Sequence, residues 1–156
     1  MIAVDTNLLV YSHRTEMNGH AAATRAVRAL VEGSSPWAVP WPCAHEFLSV
    51  VTNPRPFRKP TKPPEAVAFL RSLTQSEHFH WLAEGPGYLD KLDLLLAGGT
   101  VIGGRIHDAR IAALCLYHGV RELWTADRDF SMFPQLNTRN PLVRASISPR
   151  SSQRQK

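Results

Sequence analysis

Cysteine is scarce in this chain. Cys43 and Cys115 are the only two among 156 residues and form no C-x-x-C pair, which excludes a zinc ribbon and a disulfide framework. Long apolar runs are also missing. The first, Met1 to Val4, stops at Asp5, and none approaches the roughly 18 residues of a membrane span or the apolar stretch of a signal peptide. A reducing cytoplasm and no membrane association are the expectations. Glycine clusters between Gly98 and Gly104, but that stretch lacks the G-K-[ST] ending of a phosphate-binding loop and reads as a hinge or cap.

Acidic residues are absent from two stretches. The block from Arg55 to Lys62 carries Arg55, Arg58, Lys59 and Lys62, and the tail from Arg144 onward carries Arg144, Arg150, Arg154 and Lys156. The formal net charge of +5 rests on these two appendages, since elsewhere 10 basic residues face 13 acidic ones. The body is mildly acidic, so a basic total alone does not make it a nucleic-acid binder. The length fits a single domain able to bury on the order of 68 to 70% of its extended surface. We expect one domain over residues 1–147 and a basic tail without fixed structure over 148–156.

Short apolar strands alternate with helical patterns along the chain. Met1 to Val4 reads as a buried strand, and Asp5-Thr6-Asn7 supplies capping residues for a helix carrying Leu8, Leu9, Val10 and Tyr11. A helix follows from His20 to Glu32, then a strand at 37–40 and a helix from about Cys43 to Thr52 with Glu46 in its first turn or so. Residues 54–64 hold five of the twelve prolines and read as a loop leading into a helix that ends near residue 74. Further strands are expected at 78–82 and 122–125, and helices at 88–97 and 107–118, the last almost wholly apolar and therefore central. A final edge strand is expected at 142–145. The class is α/β: a central, mostly parallel sheet of four or five short strands with helices on both faces.

In such sheets, ligands gather where strands end and helices begin. Asp5 follows the first strand, Asp127 and Asp129 follow the strand at 122–125, and Asp108 and Glu46 open helices, so carboxylates from four parts of the chain should share one edge. Singly each reads as a cap, a helix-dipole residue or a turn residue. Together they must be neutralised, because two unit charges about 5 Å apart repel by roughly 3 kcal/mol at an effective dielectric near 20. A hard divalent cation, Mg²⁺ or Mn²⁺, suits an all-carboxylate donor set. Such a site suits phosphodiester hydrolysis. Arg14, Arg110 and Arg128, with Arg55, Arg58 and Lys59 of the basic block, are the candidates for holding nucleic-acid phosphates at its rim. Three of the four tryptophans, Trp37, Trp81 and Trp124, are expected in the core, with Trp41 the exception.

Four segments resemble the acidic motifs of PIN-domain ribonucleases, and in particular of the VapC toxins of VapBC toxin–antitoxin pairs. They are MIAVDTNLLV at 1–10, AHEF at 44–47, HDARIAAL at 107–114 and TADRDF at 125–130, in order over nearly the whole chain. The resemblance implies a PIN-like three-layer fold and a Mg²⁺-dependent endoribonuclease restrained by a cognate VapB-like antitoxin. It also implies a homodimer. By position, Asp5, Glu46, Asp108 and Asp127 match the acidic quartet, with Asp5 and Asp108 as direct metal ligands. Asp129 matches an additional acid carried by some members, and Thr6 and Thr125 match small polar positions that orient water or a carboxylate. The proline-rich basic block departs from the shorter members.

Two alternatives stand beside this reading. A catalytically inert RNA-binding module could keep the fold and use the basic appendages, though it would gain by losing acids near phosphate. A phosphotransfer receiver also places acids at strand ends. Here the first strand ends in Asp-Thr-Asn rather than Asp-x-Asp, and no suitable lysine follows a late strand.

Overall fold

The computed structural model describes residues 1–143. The basic tail from Arg144 onward and the second half of the edge strand expected at 142–145 lie outside the described residues. Five parallel strands form one sheet: β1 (Ile2–Val4), β2 (Trp37–Pro40), β3 (Phe79–Leu82), β4 (Glu122–Trp124) and β5 (Thr138–Arg139), in the spatial order β3-β2-β1-β4-β5. The helices are α1 (Thr6–His13), α2 (His20–Val31), α3 (Trp41–Val51), α4 (Pro63–Leu73), α5 (Tyr88–Leu96) and α6 (Arg105–Tyr117), with a 3-10 turn at Asp129–Met132. All four residues of β2 are buried, as are Ala3, Val4, Leu123 and Trp124. Such strands, with no polar face, require cover on both sides.

The winding places the functional edge. From β1 the chain builds outward through β2 to β3, then returns across the sheet to lay β4 on the other side of β1. The C-terminal ends of β1 and β4 therefore flank the point where the strand order reverses, which is where a crevice opens in a doubly wound sheet. Register fixes the neighbours there: Val4 pairs with Trp124, and the Asp5 N–H donates to the Trp124 carbonyl at 3.0 Å. Asp5 and Thr125 leave the sheet side by side.

The central helix, α6, is rich in small residues. Ala109, Ala112, Ala113 and Cys115 are fully buried with Ile111 and Leu114, so its backbone lies close against its neighbours. It ends in a Schellman motif: Val120 N–H donates to the Cys115 carbonyl at 2.8 Å and Gly119 N–H to that of Leu116 at 3.3 Å. Gly119 sits at φ +64°, a backbone angle that glycine adopts without strain. The turn leads through Val120 and Arg121 into β4.

Three expectations need correction. The last strand is Thr138–Arg139, while Leu142 and Val143 lie in a turn and a bend. Both residues of β5 are exposed, so the strand carries no apolar signature and is held by its pairing with Leu123 and Trp124 and by the Arg139 guanidinium 5.5 Å over the Trp124 ring. Helix α3 begins at Trp41, with Pro42 in its first turn, so Glu46 stands in the second turn. Trp81 is only partly buried, because β3 is a sheet edge, and it stacks face to face on Trp41 at 4.2 Å.

The proline-rich segment is a pinned strap. Thr61 N–H donates to the Val51 carbonyl at 2.8 Å, and Phe57 is buried in the core. Arg14, at the C-terminal end of α1, donates to Thr61 Oγ1 and to the Lys59 carbonyl, both at 2.8 Å, and lies over the Phe57 ring at 4.1 Å. A further bond ties its guanidinium to Glu16.

Candidate active site

Asp5 ends β1 and caps α1, and its carboxylate is held by its own turn, by the start of α3 and by the segment after β4. Its Oδ1 accepts from the Thr6 N–H at 2.7 Å and from the Cys43 thiol at 3.6 Å. Its Oδ2 accepts from Asn7 Nδ2 and from Thr125 Oγ1, both at 2.6 Å. The carboxyl is almost fully buried, and burial raises its pKa from 3.8 to about 6, against the lowering pull of its bonds from Thr125 and Thr6. Repulsion from Glu46 adds to the rise.

Thr125 is the hub opposite. Its hydroxyl donates to Asp5 and accepts from Asn7 Nδ2 at 3.1 Å and from the Asp127 N–H at 2.9 Å. Asn7 closes the frame, its Oδ1 accepting from the Ala126 N–H at 3.0 Å. The β1–α1 turn and the segment after β4 are thus locked together by side chains that are all small and polar. Thr6 Oγ1 donates to Glu46 Oε2 at 2.6 Å, which orients the acid brought in by α3.

Asp5, Glu46, Asp108 and Asp127 line one cleft of about 270 Å³, together with Thr6 and Asn7 and with apolar walls that include Val50, Ile111 and Phe130. Asp108 comes from the first turn of α6, four residues in. Its pKa is raised, first by partial burial and then by repulsion from Asp127, Asp129 and Glu46. Ion pairs among the described residues join Arg14 to Glu16, Arg28 to Glu32 and Arg110 to Glu84, and none involves the four acids.

This donor set fits a hard divalent cation: oxygen ligands only, like charges crowding one another, and no basic side chain neutralising them. The four acids do not form a closed cage, since no three His, Cys, Asp or Glu side chains among the described residues converge to metal-binding distance. The carboxylates surround the cleft from separate elements.

The other expected residues divide. Asp129 opens the 3-10 turn, its N–H donating to Asp127 Oδ1 at 2.8 Å, and it faces a neighbouring depression with Arg105 rather than the cleft. Arg110 reaches the adjoining opening, its guanidinium fixed by Glu84 with Nε 2.8 Å from Oε1. Arg128 is exposed beside Asp127. Arg14 is buried and structural, so the expectation of a phosphate-binding Arg14 is corrected: its donors are consumed by the strap and Glu16. Arg55, Arg58 and Lys59 are exposed on that strap, which the C-terminal ends of α1 and α3 hold, a helix length from Asp5.

Asn7 and Cys43 were not expected in the site. Asn7 was legible only as a cap, because its two roles depend on Thr125 and Ala126 from the far end of the chain. Cys43 has no sequence signal for a bond to Asp5. Both cysteines are free and buried, and burial raises each thiol pKa, which keeps them protonated.

The model of the PIN domain family matches residues 2–135. Ribonuclease VapC43 of Mycobacterium tuberculosis is 32% identical over 142 residues, covering 91% of this chain and 96% of the relative. Ribonuclease VapC48 of the same organism is 28% identical over 137 residues, covering 88% and 94%. Among solved structures, VapBC2 from Rickettsia felis bound to a promoter DNA fragment superposes with a TM-score of 0.64 at 19% identity, covering 90% of this chain and 98% of that one. VapC20 of M. tuberculosis, described as a sarcin-ricin loop cleaving toxin, gives 0.61 at 16% identity, covering 84% and 93%.

Proposed function

The chain belongs to the PIN-domain family, and from that membership we propose that it is a VapC-type toxin, an endoribonuclease that hydrolyses RNA phosphodiester bonds and is restrained by a VapB-like antitoxin. The observation that carries this reading is the cleft at the β1/β4 reversal, lined by four carboxylates that no cation pairs with. Near-full-length similarity to proteins named VapC ribonucleases supports it.

Divalent-metal dependence is the general habit of this family, and Mg²⁺, with Mn²⁺ as substitute, is the ion we assign. Asp5 and Asp108 would hold it, with Glu46 and Asp127 completing the set. When bound, such an ion lowers the pKa of water and polarises the phosphoryl oxygen. Asp5 is fixed by four donors and supplies charge at a set position. Thr6 holds Glu46, and Thr125 holds both Asp5 and the backbone of Asp127, so one hydroxyl sets the spacing of two acids. Val50, Ile111 and Phe130 exclude water from one wall, which strengthens charge interactions at the reacting phosphate.

Among the described residues, no helix is long and apolar enough to cross a membrane. A cytoplasmic location belongs with this reading. So does a homodimer, for which Leu89 and Leu94 of α5 and Ile102 beyond it, all about 70% exposed, are the surface we assign. The inert-module alternative gains no support from the cleft, where retained, unpaired acids would repel phosphate. The deciding experiment is cleavage of total RNA by the purified chain in Mg²⁺ and in EDTA, beside Asp108→Asn. Cleavage only by wild type with the ion supports the reading, and equal behaviour of all three would overturn it.

A further inference from the structure

Next to the acidic cleft lies a second opening of about 440 Å³, whose lining includes Pro42, His45, Glu46, His107, Asp108 and Arg110. Glu46 and Asp108 belong to both, so the two are continuous. From it an aromatic ladder runs from His45 and Trp41 of α3 to Trp81 of the edge strand β3. The His45 ring lies 5.6 Å from Trp41 at an interplanar angle of 31°, and Trp41 lies 4.2 Å from Trp81 at 16°. His45 and Trp41 are exposed, Trp41 at 38%. Trp37 and Trp124, by contrast, are buried.

We propose that the ladder Trp81–Trp41–His45 is a stacking platform for a nucleobase of single-stranded RNA, which joins it at the His45 end and so fixes the register of the strand over the acidic cleft. This rests on the ribonuclease reading and adds a substrate-positioning site to it. Trp41 and Trp81 are stacked and His45 is tilted against them, and such ring faces can be continued by any base, which is the common way proteins hold unpaired bases. The volume lies within the roughly 300–1,000 Å³ of small-ligand sites. The exposed ring faces and the continuity of the opening with the acidic cleft favour a planar base of the RNA substrate over a protein segment as occupant. Arg110, held by Glu84, and His107 stand on the wall where the phosphate of the stacked nucleotide would pass toward Asp108. The chain geometry is fixed too: Trp41 and His45 are one turn apart on α3, and Glu46 follows immediately, so base platform and carboxylate move as one rigid element.

The test uses the full chain carrying Asp108→Asn, in Mg²⁺, titrated into a labelled single-stranded RNA pool. Adding Trp41→Ala or His45→Ala should weaken binding roughly 5- to 150-fold, the range of a lost base stack. Trp41→Phe should restore most of it. RNA should quench tryptophan emission in the Trp41 protein and far less in Trp41→Phe. In the Asp108 protein, Trp41→Ala and His45→Ala should raise KM and shift cleavage positions while kcat at saturation changes little. Unchanged affinity, quenching and cleavage positions would overturn the platform, as would unchanged RNA binding with loss of self-association or antitoxin binding, which would assign the ladder to a protein interface. Failure of the Asp108 protein to cleave RNA at all would instead sink the ribonuclease reading.

Discussion

The Thr125 hydroxyl donates to Asp5 Oδ2 at 2.6 Å across 120 residues of sequence. That bond joins the ends of β1 and β4 at the reversal of strand order, and the same oxygen accepts from the Asp127 N–H. The acidic site is therefore organised around a neutral side chain.

Replacing Thr125 with valine keeps the shape and removes the hydroxyl, leaving Asp5 short of a donor, the Asp127 N–H without its acceptor and the Asn7 amide with Asp5 as its remaining acceptor. We expect a loss of about 1–3 kcal/mol in urea unfolding and a drop in cleavage of roughly 10- to 100-fold. Thr125→Ser should recover both. Equal stability and activity of the valine variant would refute the hub.

Asp108→Asn should abolish cleavage, by on the order of a hundredfold or more, with the circular dichroism spectrum and antitoxin binding retained. It is a cleaner probe than Asp5→Asn. Among the described residues the Asp108 side chain takes no part in the hydrogen-bonded frame of the cleft, whereas an amide at Asp5 would turn a donor toward Asn7 Nδ2.

Ionisation of Asp5 opposes folding when no cation is bound. Its folded pKa of about 6 lies above the unfolded 3.8, so the stability it contributes is full below about 3.8 and lost as pH rises through about 6. The loss is on the order of 3 kcal/mol. In EDTA, the stability difference between wild type and Asp5→Ala should shift against wild type between pH 4 and 7. Mg²⁺ should raise the wild-type Tm more at pH 7.5 than at pH 5. A Tm indifferent to Mg²⁺ at both values would contradict this.

Arg14→Ala should free the proline strap, costing about 1–3 kcal/mol and opening residues 53–62 to protease, with cleavage activity per folded molecule unchanged. Arg14→Lys should rescue little, because one ammonium cannot serve Thr61, Lys59 and Glu16 at once. A uniform loss of RNA binding with an intact strap would restore the phosphate-binding role to Arg14.

Leu94→Glu, on the exposed face of α5, should shift the free protein from dimer to monomer in size exclusion without changing its fold. A monomeric wild type would remove the surface assigned to self-association.

Much of this molecule was written in local pattern. The alternation of short apolar strands with helices, the central place of α6, the cap at Asp5 and the gathering of acids at strand ends follow from periodicity and turn chemistry that act over a few residues. The sequence also separated the basic strap from the body by composition.

What tertiary structure decided lies in pairs distant along the chain. β5 escaped notice because two exposed residues held by ladder bonds leave no hydrophobic trace. Arg14 looked like a rim cation until the fold brought Thr61, Lys59 and Phe57 around it. Asn7 became a clamp only when Thr125 and Ala126 arrived beside it, and Trp81 became half of a surface stack because β3 turned out to be an edge. Residue types and their spacing state what each side chain is able to do. Which partner uses up that capacity is set by strand order and register, and those are properties of the whole packed chain.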